Sequence, residues 1–116
     1  MSRVCWSKKA EESVLGVARY VIEQTQSRQR GLDLVGKVEE KCRRYAQFPE
    51  GGTARPDLGP GLRCFPVENL VVIYRPVEDG IAIILVAHGH QDVRTIVERI
   101  FGSLGGTDVD QDMPQE

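Results

Sequence analysis

The spacing of apolar residues changes along this 116-residue chain, and each change marks a different kind of element. The opening Arg3-Val4-Cys5-Trp6 is short and β-prone. Ser7 then offers a helix N-cap, and Glu11 and Glu12 put negative charge near the positive end of the helix dipole. Ala10, Val14, Val17, Ala18, Val21 and Ile22 recur at helical spacing to about Gln24. The segment TQSRQRG interrupts the stripe. A second one follows at Val35, Val38, Cys42, Tyr45 and Ala46, with Lys37, Glu39, Glu40, Lys41 and Arg43 mostly outside it. Two amphipathic helices joined by a short polar turn predict an antiparallel hairpin.

The glycine- and proline-rich segment FPEGGTARPDLGPG excludes helix or central strand and reads as a long loop, functional or mobile. Three β-prone runs come next: Leu62 to Val67, Leu70 to Arg75, and Ile81 to His88. Glu68-Asn69 and Glu78-Asp79-Gly80 separate them, gaps short enough for hairpins, so an antiparallel meander is expected. The third run is apolar on both faces and should be the most buried. Asp92 can cap a last helix with the stripe Val93, Ile96, Val97, Ile100 and Phe101, and Gly102 ends it. The predicted order β-α-α-β-β-β-α is that of an α+β fold, with the helical hairpin on one face of an antiparallel sheet. One folded domain is expected over 1–101, followed by a disordered acidic tail over 102–116.

Composition narrows the function class. The longest apolar run, Ile81 to Ala87, is far too short to span a bilayer, and the charged start has no signal core, so a cytoplasmic location is expected. Cys5, Cys42 and Cys64 are odd in number and widely spaced, which is neither a disulfide framework nor a zinc pattern. Net charge is −2, but the four acidic residues of the tail account for it. Without them the body holds fifteen basic against thirteen acidic residues, and the first 66 residues hold twelve against eight. That half can face an anionic partner, although strong nucleic-acid binders are usually more basic.

The run His88-Gly89-His90-Gln91-Asp92 invites a metal reading, because alternate strand residues share a face. The chain has no further histidine, however, and Asp92 is better employed as a helix cap. No metal and no cofactor are expected. Acid–base chemistry on RNA is the other candidate, needing a base, an acid and positive charge at the phosphorane. Arg63, Tyr74, Arg75 and His88 all lie on or beside the meander strands. The plainer reading makes Arg63 and Arg75 solvated strand charges, Tyr74 core, and His88 a hydrogen-bonded strand end.

Taken together, "WSKKAEESVLGVARYV" and "FPEGGTARPDLGPGLRCFPVENLVVIYRPVEDGIAIILVAHGHQDV" resemble the RelE/ParE superfamily of bacterial type II toxins, on its ParE side. Ser7, Ala10, Tyr20, Pro49, Gly52, Arg55, Leu58, Gly61, Leu62, Arg63, Tyr74, Arg75, His88 and Asp92 carry the resemblance, across roughly residues 4 to 101. It implies a small cytoplasmic toxin neutralised by a cognate antitoxin, ParD-like or other, whose disordered part folds onto it. Proteins similar to ParE poison DNA gyrase. Those similar to RelE cleave messenger RNA in the ribosome, and Arg63 and His88 are the positions here that could correspond to their catalytic residues. The resemblance favours a gyrase inhibitor that acts by binding, with no membrane contact and no sequence-specific DNA contact by the toxin alone. An endoribonuclease using Arg63 and His88 is the alternative. Two features depart from the pattern: Gln91 stands where the family often has Arg, and the acidic tail makes an otherwise basic type of protein mildly acidic.

Overall fold

A computed structural model describes residues 2–89 and 91–103 of the chain. The elements are β1 (Arg3–Trp6), α1 (Lys8–Thr25), α2 (Arg28–Gln47), a 3-10 turn (Pro49–Gly51), β2 (Thr53–Ala54), β3 (Arg63–Val67), β4 (Leu70–Val77), β5 (Gly80–His88) and α3 (Val93–Ser103). They form an α+β fold around one five-stranded sheet of order β1-β5-β4-β3-β2. The meander β3-β4-β5 is antiparallel, while β1 runs parallel to β5 at the sheet edge. The sheet is therefore mixed, not wholly antiparallel as expected.

Capping explains where the helices begin. Ser7 Oγ accepts from Ala10 N at 3.1 Å, and Ser27 Oγ accepts from Arg30 N at 3.2 Å. The link between α1 and α2 is thus only Gln26 and Ser27, with Gln26 in the left-handed region at φ 56°. The expected break over TQSRQRG was too long. Arg28, Gln29 and Arg30 are exposed, so that first turn of α2 leaves no apolar signature. Gly31 is no breaker but the point where the helices meet. A Cβ there would lie 2.6 Å from Ile22 Cγ1 and 3.0 Å from the Ala18 carbonyl. The expected loop also carries structure: its 3-10 turn and the two-residue β2, which pairs Thr53 with Cys64 and Ala54 with Arg63. At the other end α3 runs through Gly102 to Ser103, one residue past its expected stop.

Both faces of the sheet are covered. The hairpin closes one core with Val14, Val38, Cys42, Phe65, Leu70, Val72, Tyr74, Ile81, Ile83 and Val86. On the opposite face α3 packs with Leu58 and Leu62 over Ile73, Ala82, Ile84, Leu85 and Ala87. Strict alternation along β5 would put Ile84 and Val86 on one face. A bulge prevents this: Ile73 pairs with Leu85 but Tyr74 pairs with Ile83, so Ile84 is the extra residue. Ile84 and Leu85 both face α3, and the alternation restarts with Val86 and His88 on the hairpin side. The bulge is what aims His88. The tail residues 104–116, and His90, lie outside the described residues.

Candidate functional site

Arg63 and Tyr74 are directly opposed across β3 and β4, on the hairpin face. Tyr74 is 0 % exposed, beside the rings of Phe65 and Tyr45. Its hydroxyl donates to the Pro49 carbonyl at 2.7 Å and accepts from Gly52 N at 2.9 Å. Gly52 is needed there, because a Cβ would stand 2.3 Å from that oxygen. Burial pushes the phenol above its ordinary pKa, with the Gly52 N–H opposing it, so the group stays a donor at neutral pH. Arg63 Nε donates to the Gly52 carbonyl at 3.1 Å, and Nη2 to the Glu50 carbonyl at 3.0 Å. A looser contact of 3.6 Å joins its Nη1 to the Glu50 carboxylate. Both side chains thus serve the backbone of residues 49–52.

The other two candidates lie elsewhere. Arg75 follows Tyr74 and opposes Ala82, which belongs to the α3-side core, so alternation sends it to the other sheet face. His88 shares the hairpin face with Arg63 but pairs with Leu70, four residues along β4 from Tyr74. At about 3.3 Å per residue and about 4.8 Å per strand, roughly 16 Å separates the two positions. The core side chains of Phe65, Val67 and Val72 lie on the same face between them. Among the four candidates only Arg63 and Tyr74 are brought together.

His88 instead ends a groove of about 480 Å³ where β5 outlasts β1. Ser13, Gly16, Val17 and Tyr20 of α1 form one wall, and Gln91 and Ile96 the other. The Tyr20 ring meets the His88 imidazole edge-on, with centroids 5.2 Å apart. Two main-chain donors of the strand edge are taken by side chains: Val86 N by Ser13 Oγ at 3.0 Å, and His88 N by Gln91 Oε1 at 2.7 Å. Gln91 thus closes the strand end.

Asp92 caps α3. Its Oδ1 accepts from Thr95 N at 3.2 Å and its Oδ2 from Thr95 Oγ1 at 2.7 Å, bonds that hold its pKa below the usual carboxylate range. Among the described residues no three His, Cys, Asp or Glu side chains converge as metal ligands.

Sequence patterning missed a charged strap across the loop. Arg55 grips Asp57 with two bonds of 3.0 and 2.9 Å, and Arg94 of α3 reaches the same carboxylate at 3.4 Å. The Arg55 guanidinium is the main cause holding the Asp57 carboxyl at about 2. With Leu58 and Leu62 buried, this segment is fastened to the sheet and α3. No local motif announces a strap whose partners are 37 residues apart.

Comparison with known proteins agrees with this architecture. A solved structure titled "Chromosomal ParDE TA system from P. aeruginosa" superimposes with TM-score 0.65 at 20% identity, covering 76% of this chain and 96% of that one. Toxin ParE3 of Caulobacter vibrioides is 32% identical over 59 residues. That alignment spans 51% of this chain and 59% of the relative, so the chain matches under two thirds of the relative's length. The family profile described as "ParE toxin of type II toxin-antitoxin system, parDE" matches residues 4–93. On that match, across most of the folded part, the chain belongs to the ParE toxin family of type II toxin–antitoxin systems.

Proposed function

We propose that this ParE-family protein arrests growth by binding DNA gyrase in the cytoplasm, and that a ParD-like antitoxin holds it inactive. The observation that carries the reading is the fate of the four candidate catalytic residues. Arg63 spends its guanidinium on carbonyls of its own chain, and Tyr74 its hydroxyl on the same turn. Arg75 and His88 belong to other surfaces. Acid–base cleavage of RNA needs its groups within hydrogen-bond reach of one substrate, and a separation of roughly 16 Å between Arg63 and His88 does not supply that. Inhibition by binding requires no such cluster. Neutralisation is supported by the groove beside α1, whose floor of Leu85, Val86 and Ala87 with Val17 and Ile96 offers apolar surface to a segment that orders on contact.

Purified protein titrated into a gyrase supercoiling reaction tests the target. Loss of supercoiling at near-stoichiometric toxin is expected, and undiminished supercoiling at large molar excess would sink the claim. His88→Ala is expected to keep full growth arrest. Ribosome-dependent messenger RNA cleavage that disappears in His88→Ala would establish the ribonuclease reading instead.

A further inference from the structure

Phe48 is 65 % exposed, the most exposed large apolar side chain among the described residues. A lone surface phenylalanine is unremarkable by itself, but the support under this one is built. It caps the C-terminus of α2, its N–H donating to the Tyr45 carbonyl at 3.0 Å and its carbonyl accepting from Gly51 N at 2.9 Å. The ring lies over Gly51, where a Cβ would stand 2.6 Å from Phe48 Cδ2. That turn is the one Tyr74 and Arg63 hold through Pro49, Glu50 and Gly52. A buried phenol and a half-buried guanidinium are thus spent on fixing a three-residue turn whose outward product is one aromatic ring. The helix turns leading to the ring, residues 41–47, hold Lys41, Arg43 and Arg44 and no carboxylate; Glu40 pairs with the two arginines, and Glu50 of the turn itself lies 3.6 Å from Arg63. The helix C-terminus itself favours those cations, yet it gives no reason for an exposed ring.

We propose that Phe48 is a preorganised anchor with which the toxin grips its target, inserting into an apolar pocket rimmed by carboxylates. The proposal rests on the reading that the protein acts by binding. Because the turn is already ordered, contact loses little conformational freedom, and large rings seated in desolvated pockets and arginines are among the residues that dominate binding energy. Arg63 and Tyr74 then act as positioning residues, which explains why they are spent on backbone. The adjacent cations complement an acidic rim and speed encounter in a salt-dependent way.

The test compares full-length wild type with Phe48→Ala, Arg44→Glu and Leu15→Ala, the last altering a comparably exposed apolar residue on α1 (57 %). Inhibition of gyrase supercoiling, growth arrest on induction without antitoxin, thermal midpoint and antitoxin binding are measured for each. Phe48→Ala is expected to lose at least about 30-fold in inhibitory potency and to abolish growth arrest, with midpoint and antitoxin binding unchanged. Arg44→Glu should weaken inhibition most at low salt, and Leu15→Ala should match wild type. Should wild type arrest growth without touching gyrase, the gyrase reading fails, and the contrast in growth arrest still decides the role of Phe48. Wild-type potency in Phe48→Ala overturns the proposal. So does a parallel loss of antitoxin binding, which would assign the ring to the antitoxin.

Discussion

Tyr74 shows how one hydroxyl can be structural and still matter for function. Its oxygen, on a fully buried side chain, satisfies a buried donor (Gly52 N) and a part-buried acceptor (the Pro49 carbonyl) of the turn at residues 49–52. Removing it leaves both backbone groups unpaired, at about 1–3 kcal/mol for a buried polar group. Tyr74→Phe is therefore expected to lower the urea-unfolding free energy by that amount without changing the slope of the transition. An unchanged free energy would mean the turn re-pairs its groups by itself. Arg63 is equally specific, because a lysine cannot reach two carbonyls at once with a fixed fork. Part of this was legible: the meander alone makes Tyr74 core, but it reads Arg63 only as a solvated strand charge. Their common recipient was not, since the carbonyls they bind belong to a segment whose sequence advertises only a loop.

At the scale of elements, hydrophobic period located every long helix and strand, and local chemistry decided where the reading erred. The α1–α2 link was overestimated because a solvent-facing first turn has no apolar member and Gly31 resembles a stop. In the structure that glycine lets two helices approach, and a methyl group there must displace Ile22 or the Ala18 backbone. Gly31→Ala is expected to cost about 1–3 kcal/mol, even though alanine is the better helix former by about 1 kcal/mol. A thermal melt separates the outcomes: a raised midpoint would show that propensity wins and the crossing is loose. The β5 bulge was likewise invisible, because a strand apolar on both faces carries no alternation to break. It decides which face receives His88, and so the groove that Tyr20 shares with it.

Across the whole molecule both faces of the sheet are apolar cores, but only the α3 face is also fastened by carboxylates, and acid should separate them. The hairpin face is an aliphatic and aromatic core, with Trp6 packed against it. The opposite face depends on α3, whose first turn is tied down by two carboxylates, Asp92 capping it and Asp57 pairing with Arg94. Both have folded pKa values below the ordinary carboxylate value of 3.8, Asp57 at about 2. A depressed folded value means the stabilisation is fully present above the unfolded pKa and disappears as pH falls through the folded one. For Asp57 the window runs from about 3.8 down to about 2, most of it owed to Arg55 within the strap and only the smallest share to Arg94 of α3. As pH drops through that range, amide protection in α3 should fall before protection in β5, which lies between β1 and β4 and is buried along nearly its whole length. Trp6 fluorescence reports the other face and should hold its native value until β5 also loosens. Asp57→Asn, which removes the titrating group, should make α3 protection lower at neutral pH and flatter between pH 4 and 2. Coincident loss in α3, β5 and Trp6 would show instead that the two cores unfold as one unit, with the strap adding nothing to the local stability of α3.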